Sequence, residues 1–475
     1  MAKHLSIFGT SSDAGKSTLA FALTYLLHQQ GFKVAPFKAQ NVSNNSCVCD
    51  RGGEIAQPQF FAAESIGIET TALMNPILLK SGKEGHASLI INGYAQDEQS
   101  VSEYYDTIDS LKPIVKEAFE ELTLEYETIV AEGAGSPVEL NLMDKDLSNI
   151  YIAQEFKTKI ILVADIEKGG VFASIWGVYN LLPPNLKENV IGVIINKFRG
   201  DITLFDKGVE IIEKEFGLKV LGIIPYKPLN LGFEDSQSLM NYTQNRPWRS
   251  QSDVSLEYRP QTKINVAVIK FPHISNFTDF EPLINDEEVL VSFIDSFSHL
   301  HNFDLIILPG SKRTMADLKW LKEMGFEEAV RAYEGKVLGI CGGYEMMFHS
   351  LLDEPGVEEE PLRKERGLGY IEGTLCFNEH KTLAKGRYEQ FGLELHGYEI
   401  HHGQASAPYF HYKNIYGTFI HGLFDNDNFR YFLFSDISTA YKGYNFTDFK
   451  ANKIASYCAF INDNLSLKAI IREIK

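Results

Sequence analysis

Two residues, Lys16 and Cys341, sit in surroundings whose types and spacing can do chemistry. Around the first, the chain reads Gly9-Thr10-Ser11-Ser12-Asp13-Ala14-Gly15-Lys16-Ser17-Thr18, a loop between the strand-like run HLSIFG and a helical TLAFALTYLLHQQ closed by Gly31. Backbone N–H groups in such a loop and at the following helix start converge on phosphate oxygens, while Lys16 brings a mobile positive charge and the Ser17 hydroxyl can ligate magnesium. Five residues separate Gly9 from Gly15, one more than in the common P-loop spacing. Acids are needed to complete a magnesium site. Glu132, in ETIVAEGAGSP, falls at the carboxyl end of a strand-like run, the rim where open α/β sheets bind ligands. Glu54, in DRGGEIAQPQ, is a second candidate. Taken singly, either acid reads more readily as a solvated loop residue or a helix cap than as a metal ligand, and only the joint pattern points to a ligand set. Asp144 and Asp146, in PVELNLMDKDLSN, read most simply as parts of a polar turn.

Cys341 stands in KVLGICGGYEMMF, between a β-like run and an apolar helical pattern, with two glycines directly after it. This is the layout of a nucleophile elbow, in which a sharp turn at a strand end exposes the side chain and the next N–H, that of Gly342, faces a developing oxyanion. A helix start also favours the thiolate through the helix dipole. Gly310, in LIILPGSKRTMADLKWL, ends another strand-like run and is the candidate for a second oxyanion donor. A thiol nucleophile needs a base, and histidine suits the exchange. His421 in YGTFIHGLF and His396, His401 or His402 in LHGYEIHHG are all candidates, and residue spacing alone leaves them open.

The elements that position these residues repeat a β-then-helix rhythm. HLSIFG, KVAPF, ETIVAEGAG, KIILVADI and NVIGVIINKF alternate with helical segments up to about Pro225, predicting a mostly parallel sheet wrapped by helices. A polar stretch containing QNRPWRSQSDVSLEYRPQT lacks a sustained period and reads as a linker. A second α/β alternation then runs through KINVAVIKF, VLVSFID, DLIILPG and KVLGICGGYEMMF into several β-like runs. The expected division is residues 1–230, a linker 231–262, and residues 263–475. At 475 residues a multidomain chain is expected, and 44% hydrophobic with 23% charged residues is the balance of a globular protein. The net charge of -18 argues against nucleic acid as a partner, yet leaves room for a basic pocket holding a small anion. Five cysteines without CxxC spacing indicate neither a disulfide framework nor a zinc site. No apolar run long enough to span a bilayer and no signal-peptide pattern are read, so no membrane partner and a cytoplasmic location are expected.

With these residues in view, nearly the whole chain resembles the cobyric acid synthase family. The blocks that carry the resemblance are GTSSDAGKS, APFKAQNVSNNS, GGEIAQPQ, MNPILLK, EGAGSPVELNL, VADIEKGGVFAS, IINKFRGD, LPGSKRTMADLKWL, GICGGYEMM, HGYEIHHG and GTFIHGLF, in that order. The long phosphate loop also resembles that of dethiobiotin synthetase relatives. The resemblance implies an amino-terminal domain that uses ATP and Mg2+ to activate carboxylates, and a flavodoxin-like class I glutamine amidotransferase domain that releases ammonia from glutamine. The implied substrate is a corrinoid, adenosylcobyrinic acid a,c-diamide, amidated at four side chains with one ATP and one glutamine for each. Under the same resemblance Cys341 is the nucleophile and His421 its base. Gly9, Thr10, Ser12, Asp13, Ala14, Gly15, Lys16, Ser17 and Thr18 then serve ATP, with Ser17, Glu54 and Glu132 at the metal. Asn196 is expected at the nucleotide base and Asp146 at the substrate carboxylate or its acyl phosphate.

Two departures accompany it. Leu423 occupies the position two residues after His421, where ordinary class I glutaminases carry an acid, so the partner that orients His421 is unassigned. Pro58, directly after GGEIAQ, predicts a local helix that starts later. Cobyrinic acid a,c-diamide synthase and an amidase of peptidoglycan precursors are related alternatives, which the IINKFRGD and LPGSKRTMADLKWL blocks disfavour. An ATP-binding regulatory protein with a dead glutaminase domain is the alternative outside enzymes, against which Cys341 and His421 weigh. Homo-oligomerisation is left open.

Overall fold

The computed structural model describes residues 3–81, 86–229, 231–232, 263–297, 299–358 and 361–475, so the expected linker lies almost wholly outside the described residues. Two compact units emerge. The first comprises the chain up to Ser43, Cys49–Leu229 and Ala451–Lys475; the second holds Asn44–Val48 and the later chain as far as Lys450. This differs from a contiguous division in two places. The carboxy-terminal helix Leu467–Ile474 joins the first unit because its own start is tied there: Ser466 N–H donates to Leu221 O at 2.7 Å, and Leu465 bridges Gly222. The short segment Asn44–Val48, conversely, belongs to the second unit.

The first unit is built on a six-stranded sheet in the order Val220–Pro225, Val190–Phe198, Lys159–Asp165, Leu5–Gly9, Thr128–Glu132, Val34–Phe37. Every neighbouring pair is parallel. Its central strands are buried, nearly continuous apolar runs, interrupted by Ser6, as a sheet covered on both faces demands. Leu5–Gly9 lies between two strands that come later in the chain, so the loop after Gly9 emerges at a switch point of the sheet. A smaller sheet of Gln40–Val42, Ile77–Ser81, His86–Ile91 and Tyr94–Ser100 is an insertion that the alternating pattern did not foretell. Its hairpin turns at Asn92 and Gly93, both at positive φ. The helix after GGEI begins at Gln57, not later as Pro58 suggested: Gln57–Ser65 holds the proline in its first turn, where the missing N–H has no intrahelical partner to lose.

In the second unit the parallel strands stand in the order Val289–Ile294, Ile264–Ile269, Leu305–Leu308, Lys336–Ile340, Ile415–Thr418, with Tyr409–Tyr412 antiparallel at the edge. Numbered within the unit this is 2-1-3-4-5, the flavodoxin-like arrangement. A four-stranded sheet, dominated by the long pair Ile371–Gln390 and Leu393–Gln404, accompanies it.

Candidate functional site

The phosphate loop is shaped by residues that accept a left-handed backbone. Asp13 has φ 56 and Gly15 φ 94, and helix Lys16–Gln29 starts at once afterwards. A Cβ at Gly15 would lie 2.1 Å from Asn196 Nδ2, so glycine is required on two counts. The loop is braced from outside itself. Asn196 Nδ2 donates to Ala14 O at 2.9 Å, Lys197 Nζ to Asp13 O at 2.6 Å, and Lys168 Nζ to Ser12 O at 2.9 Å. Asn196 is therefore placed as a brace of the loop backbone. Lys197 and Lys168 were not singled out from sequence, although both fall in blocks that carry the resemblance.

Around the loop the structure brings Ser17 and Glu132 together: Ser17 Oγ donates to Glu132 Oε1 at 2.7 Å. Lys38 Nζ, from APFKAQN, reaches the same oxygen at 2.8 Å, and Gln59 Nε2 donates to Glu132 Oε2 at 3.0 Å. All four side chains converge where the strands Leu5–Gly9 and Thr128–Glu132 end side by side. Lys38 and Gln59 are functional candidates that sequence reasoning missed; a buried lysine beside a buried acid is visible only once the chain is folded. Glu54, also buried, forms an ion pair with Lys80. Among the described residues no cluster of three His, Cys, Asp or Glu side chains suited to a metal occurs. The set present fits magnesium held jointly with phosphate: a hydroxyl, one carboxylate, and Gln59 Oε1, which is buried with no hydrogen-bond partner among the described residues.

Asp146 caps the turn Leu147–Tyr151. Its Oδ1 accepts from Ser148 N at 3.0 Å and Asn149 N at 2.7 Å, and its Oδ2 from Asn149 Nδ2 at 2.8 Å. Burial outweighs these bonds and pushes the carboxyl up to about 6.

In the second unit Cys341 has φ 50 and ψ -110, the strained backbone of an elbow between strand Lys336–Ile340 and the short helix Gly342–Glu345. The neighbouring strand Ile415–Thr418 runs parallel, with Thr418 opposite Ile340, and Cys341 N–H donates to Thr418 O at 2.8 Å. Topology thus brings Cys341 and His421 to the same rim. The helix dipole does not deliver a resting thiolate here. Burial, first of all, pushes the thiol well up, against the Gly342 N–H that pulls it down.

The missing orienting acid is Asp279. His421 Nδ1 lies 2.7 Å from Asp279 Oδ2, and Gly422 N–H donates to Asp279 Oδ1 at 2.8 Å, with both side chains almost fully buried. Nδ1 therefore carries the proton of the neutral ring, leaving Nε2, which is buried and has no hydrogen-bond partner among the described residues, as the basic nitrogen. No local pattern could have flagged Asp279, which precedes His421 by 142 residues. His401 Nδ1 instead pairs with Gly403 O and its ring stacks on Phe419 at 3.7 Å, His402 Nδ1 pairs with Asn378 O, and His396 is exposed. Gly310 lies against the His421 ring: a Cβ there would come 3.0 Å from His421 Cε1. A Cβ at Gly342 would come 2.8 Å from Ser311 N, so the elbow and the loop after Leu305–Leu308 meet closely. The two oxyanion candidates border the same place.

A phosphate-binding loop with its acid, and a thiol elbow with a His–Asp pair, define a nucleotide-binding protein fused to a glutamine amidotransferase. Residues 5–232 match the CobQ/CobB/MinD/ParA nucleotide binding domain, and residues 265–429 match the CobB/CobQ-like glutamine amidotransferase domain. The chain is an enzyme of the glutamine-dependent amide ligase class. It is 51% identical over 475 residues to a cobyric acid synthase of Acinetobacter baylyi, covering 100% of this chain and 99% of that protein. A cobyric acid synthase of Listeria monocytogenes is 38% identical over 468 residues, covering 92% of this chain and 89% of that protein, and one of Clostridium acetobutylicum is 36% identical over 454 residues, covering 90% and 89%. The chain belongs to the cobyric acid synthase family. No helix among the described residues is long and apolar enough to cross a membrane.

Proposed function

We propose that this enzyme amidates the b, d, e and g carboxylates of adenosylcobyrinic acid a,c-diamide to give adenosylcobyric acid. Each cycle joins two half-reactions. In the first unit the γ-phosphoryl group of ATP passes to a substrate carboxylate, leaving ADP and an acyl phosphate. Ser17, Glu132 and Gln59 would hold Mg2+ together with the phosphates, and it would supply neutralisation of the phosphate charge. Lys16 and the loop N–H groups hold the phosphates, Glu132 keeps Ser17 and Lys38 in place, and Asp146 handles the carboxyl or its acyl phosphate.

In the second unit His421 Nε2 takes the Cys341 proton as the sulfur attacks the glutamine amide carbon. Gly342 and Gly310 N–H groups face the oxyanion. The amide nitrogen leaves with a proton from His421 as ammonia; water then hydrolyses the thioester to glutamate. Ammonia displaces phosphate from the acyl phosphate, and the amide forms.

The His421–Asp279 pair and the Cys341 elbow at one sheet rim carry this reading most directly, because acyl transfer by a thiol needs a nucleophile, a base and an acid that orients the base. Incubation with ATP, glutamine and the a,c-diamide, followed by product mass, tests it. Four successive amidations are expected; amidation confined to substrate lacking the a and c amides would make the enzyme a diamide synthase instead.

A further inference from the structure

We propose that Asn45, Ser46 and Cys47 are positioning residues of the thiol–imidazole site, holding the two supports of the His421 ring; the proposal rests on the reading of Cys341 and His421 as nucleophile and base. The segment Asn44–Val48 folds with the second unit. Asn45 Oδ1 accepts from Asn276 N–H at 2.8 Å, and Asn276 Oδ1 accepts from Ser46 N–H at 3.3 Å. Both asparagines are buried. Asn276 stands at φ 51, a left-handed conformation that asparagine tolerates, and it caps the turn Phe277–Phe280 that bears Asp279. Asp279 N–H in turn donates to Asn276 O at 3.0 Å. The reciprocal asparagine pair therefore fixes the root of the carboxylate that fixes the imidazole.

The same segment holds a second support. Tyr398 OH donates to Ser46 O at 3.4 Å and receives the Cys47 thiol at 3.6 Å. The Tyr398 ring lies against the His421 ring, centroids 5.3 Å apart and 23° from parallel. Tyr398 and His421 also exchange backbone bonds, at 3.1 and 2.8 Å. Three consecutive residues thus bear on the ring from both sides, through its hydrogen-bonded carboxylate and through its stacked neighbour. Their effect is on ring geometry, where displacements of about 1 Å cost on the order of 100-fold in rate.

Steady-state glutamine hydrolysis by the full-length Asn45→Ala and Tyr398→Phe proteins tests the proposal, the second variant keeping the stacked ring and removing only the hydroxyl. For each, kcat should fall about 10-fold or more while the glutamine KM moves less than about threefold. Amidation driven by ammonia should persist. Because Asn45 and Asn276 act as one unit, Asn45→Ala combined with Asn276→Gly should be no slower than the worse single variant. Wild-type kcat in both single variants would overturn the proposal, as would a loss expressed in KM alone. A parallel loss of ammonia-driven amidation would also overturn it, since the segment would then be general architecture. Glutamine hydrolysis surviving in Cys341→Ser would sink the underlying reading instead.

Discussion

A neutral His421 can take the Cys341 proton only through Nε2, because its Nδ1–H is committed to Asp279. Asparagine at 279 would present an amide that can also donate, removing both the tautomer preference and the charge that stabilises the imidazolium. Asp279→Asn should therefore lower glutamine hydrolysis by about 100-fold or more while glutamine still binds, measurable as a kcat loss at near-constant KM. The thiol itself rests protonated. Its raised pKa means that alkylation of Cys341 by iodoacetamide, without glutamine, should climb with pH through and beyond the ordinary thiol range. A rate already flat between about pH 6 and 8 would reveal a resting thiolate and contradict this. In the other unit, Asp146 caps a turn, and Asp146→Ala should cost about 1 kcal/mol of stability by urea unfolding.

At the scale of elements, what was legible in the sequence was what is local. Gly9 to Thr18 and the run around Cys341 each join a strand to a helix within a few residues, so their letters show both the element and its chemistry. The same locality should make Gly15→Ala severe. Its Cβ meets Asn196 Nδ2 and its φ of 94 is strained for alanine, so the loop should lose about 1–3 kcal/mol and the KM for ATP should rise. The insertion sheet carried a local signal as well, the Asn92-Gly93 turn between two β-capable runs, which the reading of a purely alternating pattern passed over. Gly93 has a further duty: a Cβ there would come 2.7 Å from Gly53 Cα, so GGE and the hairpin meet backbone to backbone beside Glu54. Asp279, Lys38 and Gln59 were illegible for a physical reason. Each acts through a partner distant in sequence, and strand order rather than spacing makes the pair. The return of Leu467–Ile474 to the first unit and the placing of Asn44–Val48 in the second are hidden for the same reason.

At the scale of the whole molecule, the second unit stores charge it must keep neutral. Glu345 and Glu358 are both buried, and burial raises both carboxyls; Glu358 is raised further by the neighbouring acids Glu345 and Asp353, whereas hydrogen bonds from Thr314 and Gly403 and the nearby His401 and His421 pull Glu345 back down. Glu345 is held by Thr314 Oγ1 at 2.6 Å and Gly403 N at 3.1 Å, and Glu358 accepts from Met315 N at 3.2 Å. Folded pKa values above the unfolded 4.5 mean that the folded state binds more protons. Stability is then greatest below the unfolded value and is lost as pH climbs toward about 8, the folded value of Glu358. Thermal unfolding should show the second unit weakening from about pH 5 to about 8, and Glu358→Gln, which keeps an acceptor for Met315 N–H, should flatten that slope.

The central claim is that one polypeptide makes a carboxylate reactive at Lys16 and frees its nitrogen at Cys341. Corrinoid amidation by Cys341→Ser, followed by product mass with glutamine and then with concentrated ammonia as nitrogen donor, tests it most directly. The account predicts no amidation with glutamine and near wild-type amidation with ammonia. Loss with both donors, or activity with glutamine, would contradict it.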